Sequence, residues 1–176
     1  RIGQALTFDG VNDYVRVAPS SSVNNMGPLT YAAWVYLPVA PGSENEIITK
    51  RRRIFAVTNL LAPATLYFIT SNDAVNTSVR SNGTIPLNKW THVAVVWNGQ
   101  VGGSISYDFY INGVVTGKTA FNSGSNNVLS DTANDINIGA FNDGSAGFLN
   151  GKLDDVRAYN RMLSATEIYQ LYSMGK

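Results

Sequence analysis

The chain has 176 residues, of which 44% are hydrophobic and 14% charged, with a formal net charge of +1. This length suits one soluble domain with its own core, and the near-neutral charge argues against nucleic acid, because binding phosphates needs a basic excess. No segment approaches the roughly 20 apolar residues of a membrane-spanning helix, and the absence of cysteine excludes disulfides and thiol chemistry.

Short apolar and β-branched runs, separated by clusters of Gly, Asn, Ser and Asp, recur along the chain. They predict strands at residues 5–8, 14–17, 29–37, 46–49, 54–58, 65–70, 76–80, 90–97, 106–111, 114–119, 135–140 and 151–159. So many strands exceed what one twisted sheet usually holds, so two packed sheets are expected. The sequence therefore predicts an all-β, two-sheet antiparallel β-sandwich.

Three local patterns refine this prediction. Asn112-Gly113 between apolar flanks predicts a type I′ hairpin, whose two central residues need positive φ. Residues 91–97 are apolar on both faces, which predicts a strand in the middle of its sheet. Ser164 and Glu167 have the spacing of a capping box, so a C-terminal helix of about two turns is expected.

Several blocks of the sequence match one known pattern. They are Ala5–Val15, Tyr31–Val35, Trp90–Ala94, Tyr110–Gly113, Ile136–Gly139 and Asn150–Ser164 followed by Glu167-Ile168. Together they resemble the laminin G-like, concanavalin A-like jelly-roll domains of bacterial and archaeal extracellular proteins, whereas residues 39–88 match least. The resemblance implies a jelly-roll sandwich that is extracellular or at the cell surface, often binds glycans and often carries calcium. Because the sequence begins at Arg1 without a signal segment, we expect one domain, residues 1–176, excised from a longer chain.

Acidic and amide side chains gather near both ends of the chain. Residues 9–13 bring oxygen donors together, Asp154 and Asp155 add two carboxylates, and in a jelly roll the first and last strands often pair. Ca²⁺ takes six to eight such oxygens, so we expect a structural calcium ion held by Asp9, Gly10, Asn12, Asp13 and Asp155. The alternative is that residues 9–13 form a turn and that Asp155 pairs with Arg157 or Arg161.

The last strand breaks the usual alternation. Leu153 and Val156 are both apolar but three residues apart, so they would face opposite sides of a regular strand. Either a β-bulge intervenes, or one face carries Leu153, Asp155 and Arg157 together.

A catalytic carboxylate pair is not expected. Retaining glycosidases need two carboxyl groups about 5.5 Å apart. Glu44 and Glu46 are interpreted as part of a solvated loop, Asp108 stands alone in its strand, and the adjacent Asp154 and Asp155 point in opposite directions. We therefore expect a protein that is not an enzyme.

Sugar binding would need aromatic and polar side chains presented outside the core. The candidate ligand-binding residues are Tyr36, Arg53, Tyr67, Asn72, Arg80, Tyr107, Phe141, Asn142 and Asp143. Each also has an ordinary interpretation as a strand-surface or turn residue. The basic run Lys50–Arg53 would attract an acidic polysaccharide or simply protect a sheet edge. His92 is expected to have a structural role, and the tryptophans are expected in the core.

These patterns lead to one functional prediction. We expect a noncatalytic carbohydrate-binding module of an extracellular protein, with a structural calcium ion and a glycan bound by rigid loops or the concave sheet. The alternative is a structural or adhesive module in a surface layer, sheath or filament, whose partner is another domain or a surface protein.

Overall fold

A computed structural model describes residues 3–51, 53–59, 63–71, 76–100, 105–122, 130–141 and 144–176. These residues contain thirteen strands and one helix. The elements are β1 (Leu6–Asp9), β2 (Val15–Val17), β3 (Leu29–Tyr36), β4 (Asn45–Lys50), β5 (Arg53–Thr58), β6 (Thr65–Ser71), β7 (Asn76–Thr84), β8 (Trp90–Trp97), β9 (Tyr107–Ile111), β10 (Val114–Thr116), β11 (Lys118–Asn122), β12 (Ile136–Ile138), β13 (Asn150–Tyr159) and α1 (Ala165–Met174).

The strands form two antiparallel sheets. One has six strands in the order β1, β13, β3, β8, β9, β10, and the other has seven in the order β11, β7, β6, β5, β4, β12, β2. The predicted two-sheet sandwich is confirmed, and β8 lies inside its sheet as expected. The run predicted as one strand at 114–119 is two strands, β10 and β11, which belong to different sheets.

The core lies between the two sheets. Alternate residues of each strand point inward, so the six-stranded sheet contributes Trp97 and Phe109 and the seven-stranded sheet contributes Phe55 and Phe68, all fully buried. Apolar burial of this kind provides the main stabilisation of a sandwich. Trp97 is in the core, as predicted, and its indole N–H donates to the carbonyl of Gln100 at 2.9 Å.

The predicted turn and cap are both present. Asn112 and Gly113 have φ angles of 51° and 77°, as a type I′ turn requires, and they join β9 to β10. Ser164 caps α1, with the reciprocal hydrogen bonds to Glu167 that define a capping box. The helix is ten residues long, slightly longer than predicted.

A β-bulge interrupts β13. The register against β3 shifts between Asp154 and Arg157, and Asp155 takes a positive φ of 50°. The extra residue allows Leu153 and Val156 both to contact the core. Of the two alternatives left open by the sequence, the bulge is therefore the one observed.

Helix α1 covers the outer face of the six-stranded sheet. Ile168 and Leu171 pack against Ala32, Ala94 and Val96 in a second apolar cluster. Among the described residues, no helix is long and apolar enough to cross a membrane.

His92 lies in a buried polar row beside this helix. The row crosses three strands, because Trp34 pairs with Asp154 on one side and with His92 on the other. Trp34 Nε1, His92 Nδ1 and Asp154 Oδ2 are buried with no hydrogen-bond partner among the described residues. The Tyr172 ring stacks on Trp34 with 5.7 Å between centroids. Burial lowers the pKa of His92 to about 4, which keeps the imidazole neutral at pH 7.

This burial predicts a loss of stability in mild acid. Below the unperturbed pKa of 6.5, the unfolded chain binds a proton at His92 that the folded protein does not bind until about pH 4. His92 should therefore lower the free energy of unfolding by about 3 kcal/mol as the pH drops through this window. Urea unfolding between pH 7.5 and 4.5 measures this contribution as the difference between the pH profiles of the wild type and of His92→Gln, which should lack it. Equal pH profiles for both proteins would contradict the prediction.

Candidate functional site

The first candidate is the predicted calcium site. The two ends of the chain do pair, since β1 runs antiparallel to β13 with Leu6 opposite Leu153 and Asp9 opposite Asn150. Asp155 lies five residues beyond Asn150, which places it roughly 15 Å along the strand from Asp9. The predicted sharing of one ion by Asp9 and Asp155 is therefore wrong, because the register separates them.

The carboxylates of both clusters have partners of their own. Asp9 accepts hydrogen bonds from the backbone N–H groups of Val11 at 2.8 Å and Asn12 at 3.4 Å, and Asp13 accepts from the N–H of Asp9 at 3.1 Å. Asp155 accepts from Arg157 Nε at 2.8 Å.

The residue at the tip of the first cluster is Gly10, which has a φ of 81°. The turn and ion-pair alternative thus describes the arrangement. Among the described residues, there is no group of three or more His, Asp or Glu side chains that could hold a metal ion. The residues do not fit a calcium ion shared by the two ends.

The basic run is the second candidate, and it points mostly inward. Lys50 and Arg53 are buried beside Asp131, which forms ion pairs with both. Lys50 also donates to Asn24 at 2.9 Å. Burial lowers the pKa of Lys50, and the charge of Asp131 opposes that shift. Arg53 is therefore a core ion-pair residue, and its prediction as a sugar contact is wrong.

Two arginines of the run remain. Arg51 donates to the carbonyl of Ser130 at 2.7 Å, and Arg52 lies outside the described residues. Attraction of an acidic polysaccharide by these two arginines stays a prediction.

Two of the aromatic residues predicted to bind sugar, Tyr107 and Tyr36, do not form a common site with the other predicted ligand-binding residues that the structure describes. Tyr107 is buried in the core, where its hydroxyl lies 2.9 Å from that of Thr70 and burial raises its pKa to about 12. Its prediction as a sugar platform is wrong, because β9 turns it inward. Tyr36 lies on the outer face of the six-stranded sheet, with its ring 5.8 Å from Trp90. Asn72, Asn142 and Asp143 lie outside the described residues.

Three other predicted residues converge on the outer face of the seven-stranded sheet. Tyr67 pairs with Arg80 across β6 and β7, and the Arg80 guanidinium lies 6.0 Å from the centre of the Tyr67 ring. Phe141 packs over the same face, against Ile54, Ala56 and Ile69. Hydrogen bonds hold the segment that carries it, because the carbonyl of residue 140 accepts from the Thr49 hydroxyl at 2.9 Å.

A cavity of about 450 Å³ opens at this point, which we call the outer-sheet cavity. It lies within the size range of small-molecule sites. Its lining combines apolar side chains with two carboxyl groups: Ser43, Glu44, Glu46, Ile54, Ile69, Phe141, Ala146 and Gly147.

Glu46 is the unusual member of this lining. Its side chain is only 3% exposed, and Oε2 has no hydrogen-bond partner among the described residues. Burial raises the pKa of Glu46 to about 8, and the nearby charge of Glu44 adds to the shift. Burial likewise raises the pKa of Glu44, while the charge of Arg80 lowers it.

The position of Glu46 corrects the sequence interpretation. The predicted strand 46–49 begins at Glu46, and Glu46 is indeed the second residue of β4, but the solvated position interpreted for it together with Glu44 is wrong because Glu46 is buried. The register against β5 shifts between Glu46 and Ile48, so that Ile47 and Ile48 both contact the core while Glu46 faces outward. The sequence signal for this bulge was the adjacent pair Ile47 and Ile48, because two consecutive apolar residues cannot both face the core in a regular strand.

Gly147 fits closely behind the carboxyl group. Its carbonyl accepts from the backbone N–H of Glu46 at 2.9 Å. Its φ is 61°, and a Cβ at this position would lie 2.7 Å from Glu46 Oε1. Only glycine combines this backbone conformation with room for the carboxyl group.

Comparison with known proteins places the fold. No curated protein matches the sequence. One similar solved structure is domain 4 of AbnA, an extracellular arabinanase from Geobacillus stearothermophilus, in complex with arabinotriose. Its TM-score is 0.68 at 18% sequence identity, and the match covers 98% of this chain and 78% of that one. Another is a heptameric SAP-like pentraxin from Limulus polyphemus, with a TM-score of 0.66 at 19% sequence identity over 94% of this chain and 80% of that one.

A third similar structure is the binding domain of Paraclostridial Mosquitocidal Protein 1. Its TM-score is 0.67 at 14% identity, and the match covers 98% of this chain and 47% of that one. At these identities the likeness shows the fold alone. The laminin G family model, described as the Concanavalin A-like lectin/glucanases superfamily, matches residues 9–169. Nearly the whole chain fits that model, and the protein belongs to this family.

Proposed function

We propose that this chain is a noncatalytic carbohydrate-binding module that binds a sugar in the outer-sheet cavity. One observation carries the proposal: the Glu46 carboxyl group is buried at the edge of a cavity that also has an apolar wall, and its Oε2 has no hydrogen-bond partner among the described residues. A buried polar atom without a partner destabilises a protein. A ligand that supplies the missing hydrogen bond gives such an atom a role.

The chemistry of the cavity suits a sugar ring. A pyranose or furanose presents C–H groups on its faces and hydroxyl groups around its rim. Phe141, Ile54 and Ile69 offer the apolar surface that would cover a face, and Glu44 and Glu46 offer groups that would bind hydroxyls. The structurally similar AbnA domain was solved with arabinotriose, which supports the proposal by analogy.

The extracellular location and the calcium ion belong to the same proposal. Both rest on the family resemblance. Calcium would now concern the 9–13 turn alone, because Asp155 is paired with Arg157. No step of sugar binding depends on it.

A second candidate function is protein contact. Val114, Tyr169 and Met174 are exposed apolar residues, and exposed apolar patches often mark protein interfaces. The β9–β10 turn lies against α1, since a Cβ at Gly113 would approach the Tyr169 ring at 3.1 Å. Self-association in sedimentation that Tyr169→Lys abolishes, together with no glycan binding, would favour this function.

The cavity location is tested by Phe141→Ala. Removing the ring takes away an apolar wall, so glycan affinity should fall by about tenfold or more, which corresponds to roughly 1.4 kcal/mol or more. A glycan array identifies the ligand, and calorimetry measures the change. Tyr36→Ala is the matched control, because it removes an aromatic ring from the outer face of the other sheet. Loss of binding in the control alone would move the site to that sheet.

Gly147→Ala tests the role of the carboxyl group without changing any charge. The new methyl group would meet Glu46 at under 3 Å and displace its carboxyl group. We expect glycan affinity to fall at least tenfold in protein that circular dichroism shows to be folded. Unchanged affinity would show that the position of Glu46 does not matter for binding.

Glu46 should also reduce the stability of the unliganded protein. Between pH 4.5 and about 8, folding requires the carboxyl group to take up a proton, so the stability falls as the pH rises through this window. At pH 7 the loss is about 3 kcal/mol. Glu46→Gln should therefore be more stable than the parent by about that amount at pH 7, and about equal at pH 4. Urea unfolding at both values measures it, and a less stable variant at pH 7 would contradict it.

Calcium in the 9–13 turn is tested by thermal unfolding with and without EDTA. If an ion binds there, its removal should lower the Tm, because a ligand bound only by the folded state stabilises it. Asp13→Asn should then lower the Tm in calcium and remove the response to EDTA. An unchanged Tm would leave the hydrogen-bonded turn as the only role of these residues.

A further inference from the structure

The protonation state of Glu46 determines which sugars the outer-sheet cavity can take. An ionised carboxylate only accepts hydrogen bonds, whereas the neutral acid has one O–H donor. No donor among the described residues reaches Oε2, although the atom is buried. An ionised group in such a place would lack the partners that a buried charge requires.

The described groups around Glu46 do not supply a compensating positive charge at Oε2. β6 contributes the neutral Tyr67, whose pKa is raised mainly by burial and also by the charges of Glu44 and Glu46. β4 and the residue before it contribute Glu44, whose charge opposes ionisation of Glu46. β5 contributes the apolar Ile54, and the segment that ends at Gly147 contributes Phe141 and backbone. Arg80 lies further across the sheet and lowers the pKa of Glu44.

We propose that Glu46 binds the ligand as the neutral acid, donating a hydrogen bond from its carboxyl group to an acceptor oxygen, and that the cavity, which also holds the Glu44 carboxyl group and an apolar wall, selects uncharged saccharides. This inference rests on the proposed function and specifies its ligand class. The acceptor is a ring, hydroxyl or N-acetyl carbonyl oxygen. A uronate or sialate would bring an ionised carboxyl group beside Glu44, whose negative charge would repel it. Its transfer from water to the apolar wall of the cavity would also cost free energy. The buried Lys50 and Arg53 face the core and do not offset that repulsion.

The first test compares matched neutral and acidic polymers. The probes are galactan with polygalacturonate, mannan with polymannuronate, and N-acetyllactosamine with its sialylated form, all arrayed at pH 7. We expect the neutral member of at least one pair to bind at least tenfold more tightly than its acidic counterpart. Tighter binding of the acidic member would overturn the inference while supporting the proposed function.

The second test follows affinity against pH with the neutral probe that binds. Above the pKa of Glu46 the neutral acid falls tenfold per pH unit, so wild-type affinity should drop about thirtyfold between pH 7 and 9.5. Glu46→Gln keeps a donor but cannot ionise, so its affinity should be the same at both pH values, whatever its level. Glu44→Gln removes a charge that favours the neutral acid and should move the wild-type midpoint to lower pH.

The outcomes separate the two proposals. A wild-type affinity that is constant or rises with pH, or an equal alkaline loss in Glu46→Gln, would overturn the neutral-acid inference alone. Failure of every probe to bind at any pH would overturn the proposed function and this inference with it. Circular dichroism at pH 9.5 verifies that each protein is still folded when its affinity is measured.

Discussion

A single extra residue in β4 is the constraint on which the proposed site depends. In a regular strand, Glu46 would share the inward side of Ile48. Because the register against β5 shifts between these two residues, Ile47 joins Ile48 in the core and Glu46 faces outward. The core gains an isoleucine, and the outer face gains a carboxyl group. Gly147 then leaves the space behind that group open.

Two buried sites with ionisable side chains in this sandwich differ in whether the side chains have partners of opposite charge. Lys50 and Arg53 lie next to Asp131, so burial is matched by ion pairs and hydrogen bonds. Such a cluster fixes the geometry at one end of the sandwich, and removing one partner would leave a charge uncompensated. Glu46 Oε2 has no such partner in the part of the chain that the structure describes, and burial raises the pKa of Glu46 to about 8. The first cluster suits a structural role, and the second suits a group that a ligand completes.

Features that depend on near neighbours could be predicted from sequence. The Asn112-Gly113 turn and the Ser164 cap require only local chemistry, and both are present. Features that depend on strand register could not. The sequence predicts that the two ends of the chain pair, but it does not determine the register of that pairing, which places Asp155 far from Asp9. Arg53 lies in a basic run of the sequence that suggests an exposed side chain. Its burial is explained by the ion pair with Asp131, which is far along the chain.

The same distinction explains why the family does not determine the ligand. Most strands that carry the family motifs, β1, β13, β3, β8 and β9, are adjacent in the six-stranded sheet, and one, β12, lies in the seven-stranded sheet. The outer-sheet cavity instead draws Glu46, Ile54 and Ile69 from residues 39–88, where the resemblance is least, and Phe141 from the segment after β12. In the proposed function, ligand chemistry would thus be set by side chains on the sheet that carries fewest of these motifs, where the buried Glu46 would specify the ligand more than the fold does.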